Sequence, residues 1–171
     1  IYRDELAAAL RRVSEESQFL RFFRTIDHLS ERELDYLTDI DYDDHFAWVV
    51  FSGDPPIGLG VARYIRVTDE PDVAEAAVLV VDEYQRRGIG TVLLQLLAES
   101  AMANGLTSVR GYAHPENRVV LEAAGRAGVH RVEEDGIARL DVRLPPPTGL
   151  EGSPIHDLLR HAAAGEVEFG R

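Results

Sequence analysis

Cysteine is absent from this chain of 171 residues, which excludes disulfide bonds, cysteine-based zinc sites and cysteine nucleophiles. Lysine is absent as well, so all 18 basic residues are arginine. No apolar run approaches the roughly 20 residues that a membrane-spanning helix needs, and no signal-peptide pattern opens the chain. We therefore expect a protein that makes no use of a membrane and is located in the cytoplasm.

Acidic side chains outnumber basic ones by 30 to 18, and the formal net charge is −12. Such a chain has no general attraction for phosphate backbones, so we do not expect nucleic acid as a partner. The same charge favours cationic partners, either small amines or lysine-bearing proteins. The hydrophobic fraction of 45% leaves enough apolar surface for the core of one globular domain.

Hydrophobic periodicity divides the chain into helical and extended segments. The first forty residues are predicted to be helical, with a capping box formed by Ser30 and Glu33. Strands are predicted at 46–52, 57–67, 73–81, 108–112 and 137–144. Helices are predicted between the later strands, at 90–104 and 116–127. The resulting order is helices, hairpin, strand, helix, strand, helix, strand, which predicts an α/β fold with a mixed sheet.

We place one domain at residues 1–144, because Pro145, Pro146 and Pro147 end its regular pattern. Residues 145–171 are predicted to form a proline-rich linker followed by an amphipathic helix or tail. Ser153 at the N-cap and Gly165 at the C-cap frame that helix.

The motif that carries chemistry is Gln85-Arg86-Arg87-Gly88-Ile89-Gly90, between the apolar strand and the following helix. Gly88 and Gly90 allow positive φ and let a ligand approach the backbone. Consecutive amides at a helix start bind a pyrophosphate, and arginine adds positive charge. The third glycine of a dinucleotide fingerprint would fall at Leu93, and no Gly-Lys-Ser/Thr of a Walker loop follows. The alternative is an ordinary glycine-bearing turn.

This string resembles the Q/R-x-x-G-x-G/A signature of the GNAT acetyltransferases, in which the loop holds the pyrophosphate of acetyl-CoA. Further strings resemble the acetyltransferase domain of the bacterial protein-lysine acetyltransferases, the Pat group; they lie at 14–17, 21–23, 39–43, 74–78 and 115–118. The resemblance covers the chain from its start to about Gly128. It implies a GNAT fold, with a mixed, mostly antiparallel sheet flanked by helices, and acetyl-CoA as cosubstrate. It also implies direct acetyl transfer to an amine, and it favours a lysine side chain of a protein.

Glu75 interrupts the apolar strand 73–81. An acid that is desolvated in such a strand has a raised pKa, which suits a general base acting on an ammonium group. The resemblance implies the same role, because Glu75 falls where Pat-like enzymes carry the catalytic glutamate. The alternative is a glutamate that reaches solvent from the end of a strand.

The resemblance also implies contacts with the cosubstrate. Leu79, Val80 and Val81 would offer backbone groups to the pantetheine arm. The pyrophosphate would be held, chiefly through main-chain amides, by Gln85, Arg86, Arg87, Gly88, Ile89, Gly90 and Thr91. Asn117 matches an asparagine near the pantetheine, although it is equally an ordinary helix cap.

One expected group is missing from the matched positions. Many GNAT enzymes place a tyrosine seven residues beyond the asparagine to protonate the leaving thiolate, and that position here is Ala124. Tyr112 and His114 are nearby alternatives.

The acidic loop Asp41–His45 has three interpretations. Adjacent loop residues rarely converge on a metal, so we predict no metal site there. The loop is either solvated or a rim that attracts a lysine-bearing substrate. Two rival functions also remain open: a GNAT enzyme acting on a small amine, and a CoA-binding regulatory module without catalysis.

Overall fold

The computed structural model describes residues 2–23, 25, 26, 28–126 and 128–144. Three short helices come first: α1 (Tyr2–Leu10), α2 (Glu15–Phe22) and α3 (Glu31–Thr38). The Ser14 side chain caps α2 by accepting the Ser17 N–H. Ser30 and Glu33 form the predicted capping box at α3. Local side-chain to backbone bonds therefore set the starts of α2 and α3.

Six strands form one sheet; they are β1 (His45–Ser52), β2 (Ile57–Val67), β3 (Glu70–Val80), β4 (Ser108–Ala113), β5 (His130–Glu134) and β6 (Ile137–Arg143). Two further helices, α4 (Ile89–Ala103) and α5 (Arg118–Arg126), and a short 3₁₀ helix (Asp82–Tyr84) connect them. The strand order is β1-β2-β3-β4-β6-β5. Strands β3 and β4 run parallel and the other neighbours run antiparallel, so the predicted mixed, mostly antiparallel sheet is confirmed.

Strand β5 was not predicted. It is a five-residue edge strand that pairs with β6, and four of its five residues are exposed, so it lacks an apolar alternation. Its signal in the sequence is the Asp135-Gly136 pair, whose φ angles of 50° and 77° suit a tight hairpin.

The main core lies between the sheet and α4. Leu93, Leu97 and Ala101 of α4 pack on Ala62, Tyr64 and Ala74 of β2 and β3, and all six are almost completely buried. A smaller cluster joins α5 to β4 and β6 through Ala113, Ala138 and Leu140. The helix α1 packs on the opposite face of β2. These layers hold β3 and β4 in fixed positions at the centre of the sheet.

The acidic loop before β1 has a structural explanation. The Asp41 Oδ1 atom accepts the N–H groups of Asp43 (2.9 Å) and His45 (2.8 Å), and these bonds lower the pKa of Asp41. Asp43 and Asp44 both form ion pairs with Arg66 of β2. In the part of the chain that the structure describes, no three His, Asp or Glu side chains converge as metal ligands.

The predicted C-terminal segment, 145–171, lies outside the described residues. Of the helices within them, none has the length and hydrophobicity that a bilayer span requires.

Tyr64 is fully buried, and its hydroxyl donates to the Asp43 carbonyl (3.0 Å) and accepts from Asn104 Nδ2 (2.6 Å). Tyr64→Phe removes both of these part-buried hydrogen bonds, so we expect the free energy of unfolding to fall by about 1–3 kcal/mol. Denaturant unfolding measures this change. Tyr42→Phe, at a side chain that is 62% exposed, is the matched control and should change stability little. Equal stability of the two variants would contradict this account.

Asp41→Asn keeps the accepting oxygen and removes the charge. The variant therefore isolates the contribution of that charge to stability. Because the pKa of Asp41 is lowered in the folded state, its charge stabilises the protein above the ordinary pKa of 3.8. That stabilisation is lost as the pH falls through the lowered pKa. We expect wild type to melt above the variant at neutral pH and the gap to close in acid. Thermal melts across this range test the prediction, and a gap that persists or widens in acid would refute it.

Candidate functional site

Strands β3 and β4 separate partway along their length. Their parallel ladder holds three pairs: Val73 with Ser108, Ala74 with Val109, and Glu75 with Arg110. Beyond these pairs β3 continues to Val80, whereas β4 stays paired with β6 as far as Ala113. Among the described residues, the edge of β3 that faces β4 therefore has no strand partner over 76–80, and an opening forms between the two strands. Unpaired backbone groups along this edge are available to a ligand.

Glu75 stands at the last rung of the ladder, where the opening begins. Its side chain is exposed, so the prediction that this carboxyl is desolvated is wrong. The reason is strand alternation: Ala74 (0% exposed) and Ala76 point toward the α4 core, and Glu75 points to the opposite face. The hydroxyl of Tyr112 on β4 lies 3.4 Å from Glu75 Oε1.

Arg110 is the register partner of Glu75, but its guanidinium is committed elsewhere. It donates to both carboxylate oxygens of Glu70, each at 3.0 Å, and to Asp141 at 3.4 Å. The bonds to Glu70 are the largest cause of a raised pKa for Arg110. Among the described residues, Glu75 thus has no ion-pair partner and keeps a carboxylate open to an incoming cation.

The direction of the β3 backbone groups follows from one hydrogen bond. The Val81 N–H donates to the Leu59 carbonyl (2.9 Å), and the Val81 carbonyl accepts the Tyr84 N–H (2.9 Å). Hydrogen-bonded pairs alternate in an antiparallel ladder, so Leu79 also directs its backbone toward β2. The predicted backbone contacts of Leu79 and Val81 with a pantetheine therefore do not fit the structure.

The same alternation turns the Val80 backbone toward the opening, where its carbonyl accepts a bond from Gln85 Nε2, and its contact with a pantetheine stays a prediction. Ala76 and Val78 share this direction and were missed by the sequence analysis. The sequence shows only that the backbone groups of successive residues in a strand point to opposite sides. It does not show which side faces the opening.

The loop from Gln85 to Gly88 leads from the 3₁₀ helix into α4. Gly88 is the N-cap of α4 with φ of 84°, and the first intrahelical bond runs from Val92 N–H to the Gly88 carbonyl (3.0 Å). The amides of Ile89, Gly90 and Thr91 consequently precede any acceptor within the helix. A Cβ placed on Gly88 would meet nothing within 4 Å, so the space above this amide is open. These amides form a cradle at the positive end of the helix dipole that suits an anionic group, and a diphosphate there stays a prediction.

The arginines of the loop lie on its surface. Arg86 and Arg87 are exposed, and Arg86 adopts a φ of 58°. The Arg87 guanidinium carbon lies 5.2 Å from the centre of the Tyr84 ring. Thr91 is exposed beside them, whereas Ile89 packs on the core. Both arginines belong to the loop that leads into α4, and their contact with a diphosphate stays a prediction.

Helix α2 fastens this loop, which the sequence analysis did not anticipate. Asp82 accepts bonds from Ser14 N–H (3.2 Å), Ser14 Oγ (2.6 Å) and Ser17 Oγ (3.1 Å). Gln85 Nε2 donates to Ser17 Oγ (3.3 Å) and to the Val80 carbonyl (3.1 Å). Gln85 is therefore a brace within the loop, and the two serines tie the loop to α2.

The other end of α2 reaches the far side of the opening. The rings of Phe19 and Phe23 lie 4.9 Å and 6.1 Å from the ring of His114, which follows β4. Helix α2 thus contacts both the loop after β3 and the end of β4.

Asn117 caps α5, because its Oδ1 accepts the Val120 N–H (3.3 Å). Its Nδ2 has no partner among the described residues, so contact with a ligand stays a prediction. Ala124 packs against the cluster formed by Ala113, Ala138 and Leu140. The position at which many GNAT enzymes carry the tyrosine is therefore occupied here by a packed alanine.

A separate cavity of about 90 Å³ lies under α1 and α2 on the face of the sheet that carries Glu75. It is lined mostly by apolar side chains, together with Glu5, Arg21 and Arg63. Burial, together with the charge of Arg63, lowers the pKa of Arg21 to about 10. Glu75 is not among the lining residues, so this cavity is distinct from the opening between β3 and β4.

The chain was then compared with known proteins. A family model described as "Acetyltransferase (GNAT) family" matches residues 11–129. "Acetyltransferase Pat" of Mycolicibacterium smegmatis is 33% identical over 144 residues, which are 83% of this chain and 43% of that protein. "Acetyltransferase PA5475" of Pseudomonas aeruginosa is 31% identical over 115 residues, 66% of this chain and 61% of that one. The chain therefore spans less than two thirds of either relative.

Solved structures agree in fold. The GNAT domain of S. lividans PAT matches with a TM-score of 0.77 and 28% identity, covering 83% of this chain and 85% of that chain. The cAMP-binding acyltransferase from Mycobacterium smegmatis matches with a TM-score of 0.63 and 30% identity, covering 87% of this chain and 46% of that chain. Together with the family model, these matches show that the chain belongs to the GNAT acetyltransferase family.

Proposed function

We propose that this domain transfers the acetyl group of acetyl-CoA to a lysine side chain of a protein, with Glu75 as the general base. The observation that carries the proposal is the place of Glu75. Its exposed carboxylate stands where the β3–β4 ladder ends, at the apex of an opening that leads to the α4 cradle.

The residues of the opening fit the coenzyme. The amides of Ile89, Gly90 and Thr91 would hold the diphosphate. The backbone groups of Val78 and the N–H of Val80 would hold the pantetheine arm, because the Val80 carbonyl already accepts a bond from Gln85 Nε2. When bound, the coenzyme supplies an acetyl group activated as a thioester. The backbone edge of β3 also offers amides to the negative charge that develops on the acetyl oxygen.

Glu75 has two tasks in this scheme. Its carboxylate attracts the acceptor while that group is still an ammonium ion, because no described cation competes for it. It then accepts a proton, which frees the nitrogen lone pair for attack. The exposure of Glu75 means that the acceptor itself excludes water from the carboxylate on docking.

A protein acceptor is supported by three observations. No described element encloses Glu75, so a side chain presented on a large molecule can reach it. The net charge of −12 favours a cationic partner. The strings that resemble the Pat group, and the relatives that carry the name Pat, support the same acceptor class.

Glu75→Gln removes the base and keeps the shape of the side chain. We expect kcat to fall by roughly 10²–10⁴-fold, because that is the usual contribution of a positioned base. Affinity for CoA should be unchanged, since Glu75 lies away from the α4 cradle. Release of free thiol from acetyl-CoA with protein substrates measures kcat, and calorimetry measures affinity. Glu122→Gln, at an exposed glutamate of α5, is the matched control and should behave as wild type.

The same assay tests whether the acceptor is a protein lysine or a small amine. Lysine-bearing proteins should be acetylated, and polyamines, aminoglycosides and amino acids should not. Efficient transfer to small amines alone would overturn the protein acceptor and leave the transferase. Tight CoA binding without transfer to any amine would overturn catalysis. Full turnover by Glu75→Gln would remove Glu75 as the base.

Gly88→Ala tests the cradle against a control at the other end of α4. Gly88 and Gly105 have similar positive φ angles, 84° and 78°, and neither has a neighbour within 4 Å of an added Cβ. Alanine should therefore strain both positions by a similar amount, about 1 kcal/mol. We expect Gly88→Ala alone to weaken CoA binding in calorimetry, because its methyl group enters the cradle. Equal CoA affinity in the two variants would refute a diphosphate site at Gly88.

A further inference from the structure

The transfer proposed above leaves a thiolate on the coenzyme, and α5 has no suitable proton donor for it. The only ionisable side chains of Arg118–Arg126 are two terminal arginines and Glu122, which is exposed and paired with Arg126. Ala124 carries no polar atom and packs on the sheet. If the thiolate is protonated by the protein, the donor must come from another element.

Tyr112 on β4 has the required position. Its backbone is fixed by pairing with Arg139 of β6, in the part of β4 that has already separated from β3. Tyr112 lies two residues beyond Arg110 and thus on the face of the sheet that carries Glu75. Its hydroxyl is 3.4 Å from Glu75 Oε1, and the side chain is 41% exposed, which leaves room for a ligand beside it. We infer that Tyr112 is a further catalytic residue of this site, the general acid that protonates the departing sulfur.

Tyr112 lies near two charged groups. The guanidinium of Arg110, which Glu70 and Asp141 hold in place, interacts electrostatically with Tyr112. Glu75, on the other side, is within reach to return a proton.

His114, the other nearby candidate, is engaged differently. Its Nδ1 accepts the Glu116 N–H (3.2 Å), and its ring lies against Phe19 and Phe23 of α2. These contacts hold His114 in the turn that leads into α5 and against the phenylalanine rings of the α2 region.

The protons balance as follows. The acceptor ammonium first loses one proton through Glu75 to solvent. The C–N bond then forms and the C–S bond breaks, with its electron pair leaving on sulfur. Glu75 takes a second proton from nitrogen, Tyr112 gives its hydroxyl proton to sulfur, and Glu75 returns a proton to Tyr112. The products are the amide, the CoA thiol and one released proton, with no change of oxidation state.

This inference rests on the proposed transferase function, and the experiment separates the two. In Tyr112→Phe, we expect kcat with acetyl-CoA to fall by about 10²-fold, with CoA affinity and melting temperature unchanged. The acetyl selenoester of the coenzyme is the second donor, because a selenolate leaves without needing a proton. With it, the variant should approach the wild-type rate, whereas Glu75→Gln should stay slow. Tyr42→Phe, whose ring packs against Phe46, is the matched control and should equal wild type with both donors.

A wild-type rate for Tyr112→Phe with acetyl-CoA would overturn the inference and leave the transferase intact. An equal loss with both donors would also overturn it, because the hydroxyl would then support the site and not the leaving group. Absence of transfer by wild type would overturn both proposals.

Discussion

The early end of the β3–β4 ladder is the constraint on which the site depends. Two parallel strands in the middle of a sheet normally pair along their whole length, because unpaired backbone groups are costly. Here pairing stops after Glu75 and Arg110, while β2 and β6 continue to hold the outer edges of the two strands. The opening can therefore exist without loosening the sheet, and its unpaired edge is left to a ligand.

Helix α2 stabilises the two sides of this opening. Its N-terminal serines bind Asp82 in the loop after β3, and its C-terminal phenylalanines contact His114 after β4. The same loop begins α4, whose buried face anchors it to the core. The amides at the start of α4 and the Glu75 carboxylate at the apex of the opening are thus held by separate contacts, which allows each to be altered without unfolding the other.

Two arginines on the strands that flank β3 pair with carboxylates other than Glu75. Arg110 is neutralised by Glu70 and Asp141, and Arg66 is neutralised by Asp43 and Asp44. Among the described residues Glu75 is left without a cation, next to the hydroxyl of Tyr112. The acidic loop at Asp41, which was one candidate for substrate attraction, is instead explained by bonds to its own backbone and to Arg66.

The sequence by itself determined the element order, the helix caps and the glycine loop, because these depend on local periodicity and on neighbouring side chains. It also singled out Glu75 as a candidate base, but the expected desolvation is wrong, because strand alternation turns this side chain outward. The edge strand β5 was not predicted, because an edge strand needs no apolar pattern. Only the tertiary structure decided where the ladder ends, which backbone groups of β3 face the opening, and that Tyr112 meets Glu75. Those facts arise from pairing between strands about forty residues apart, and no local pattern encodes them.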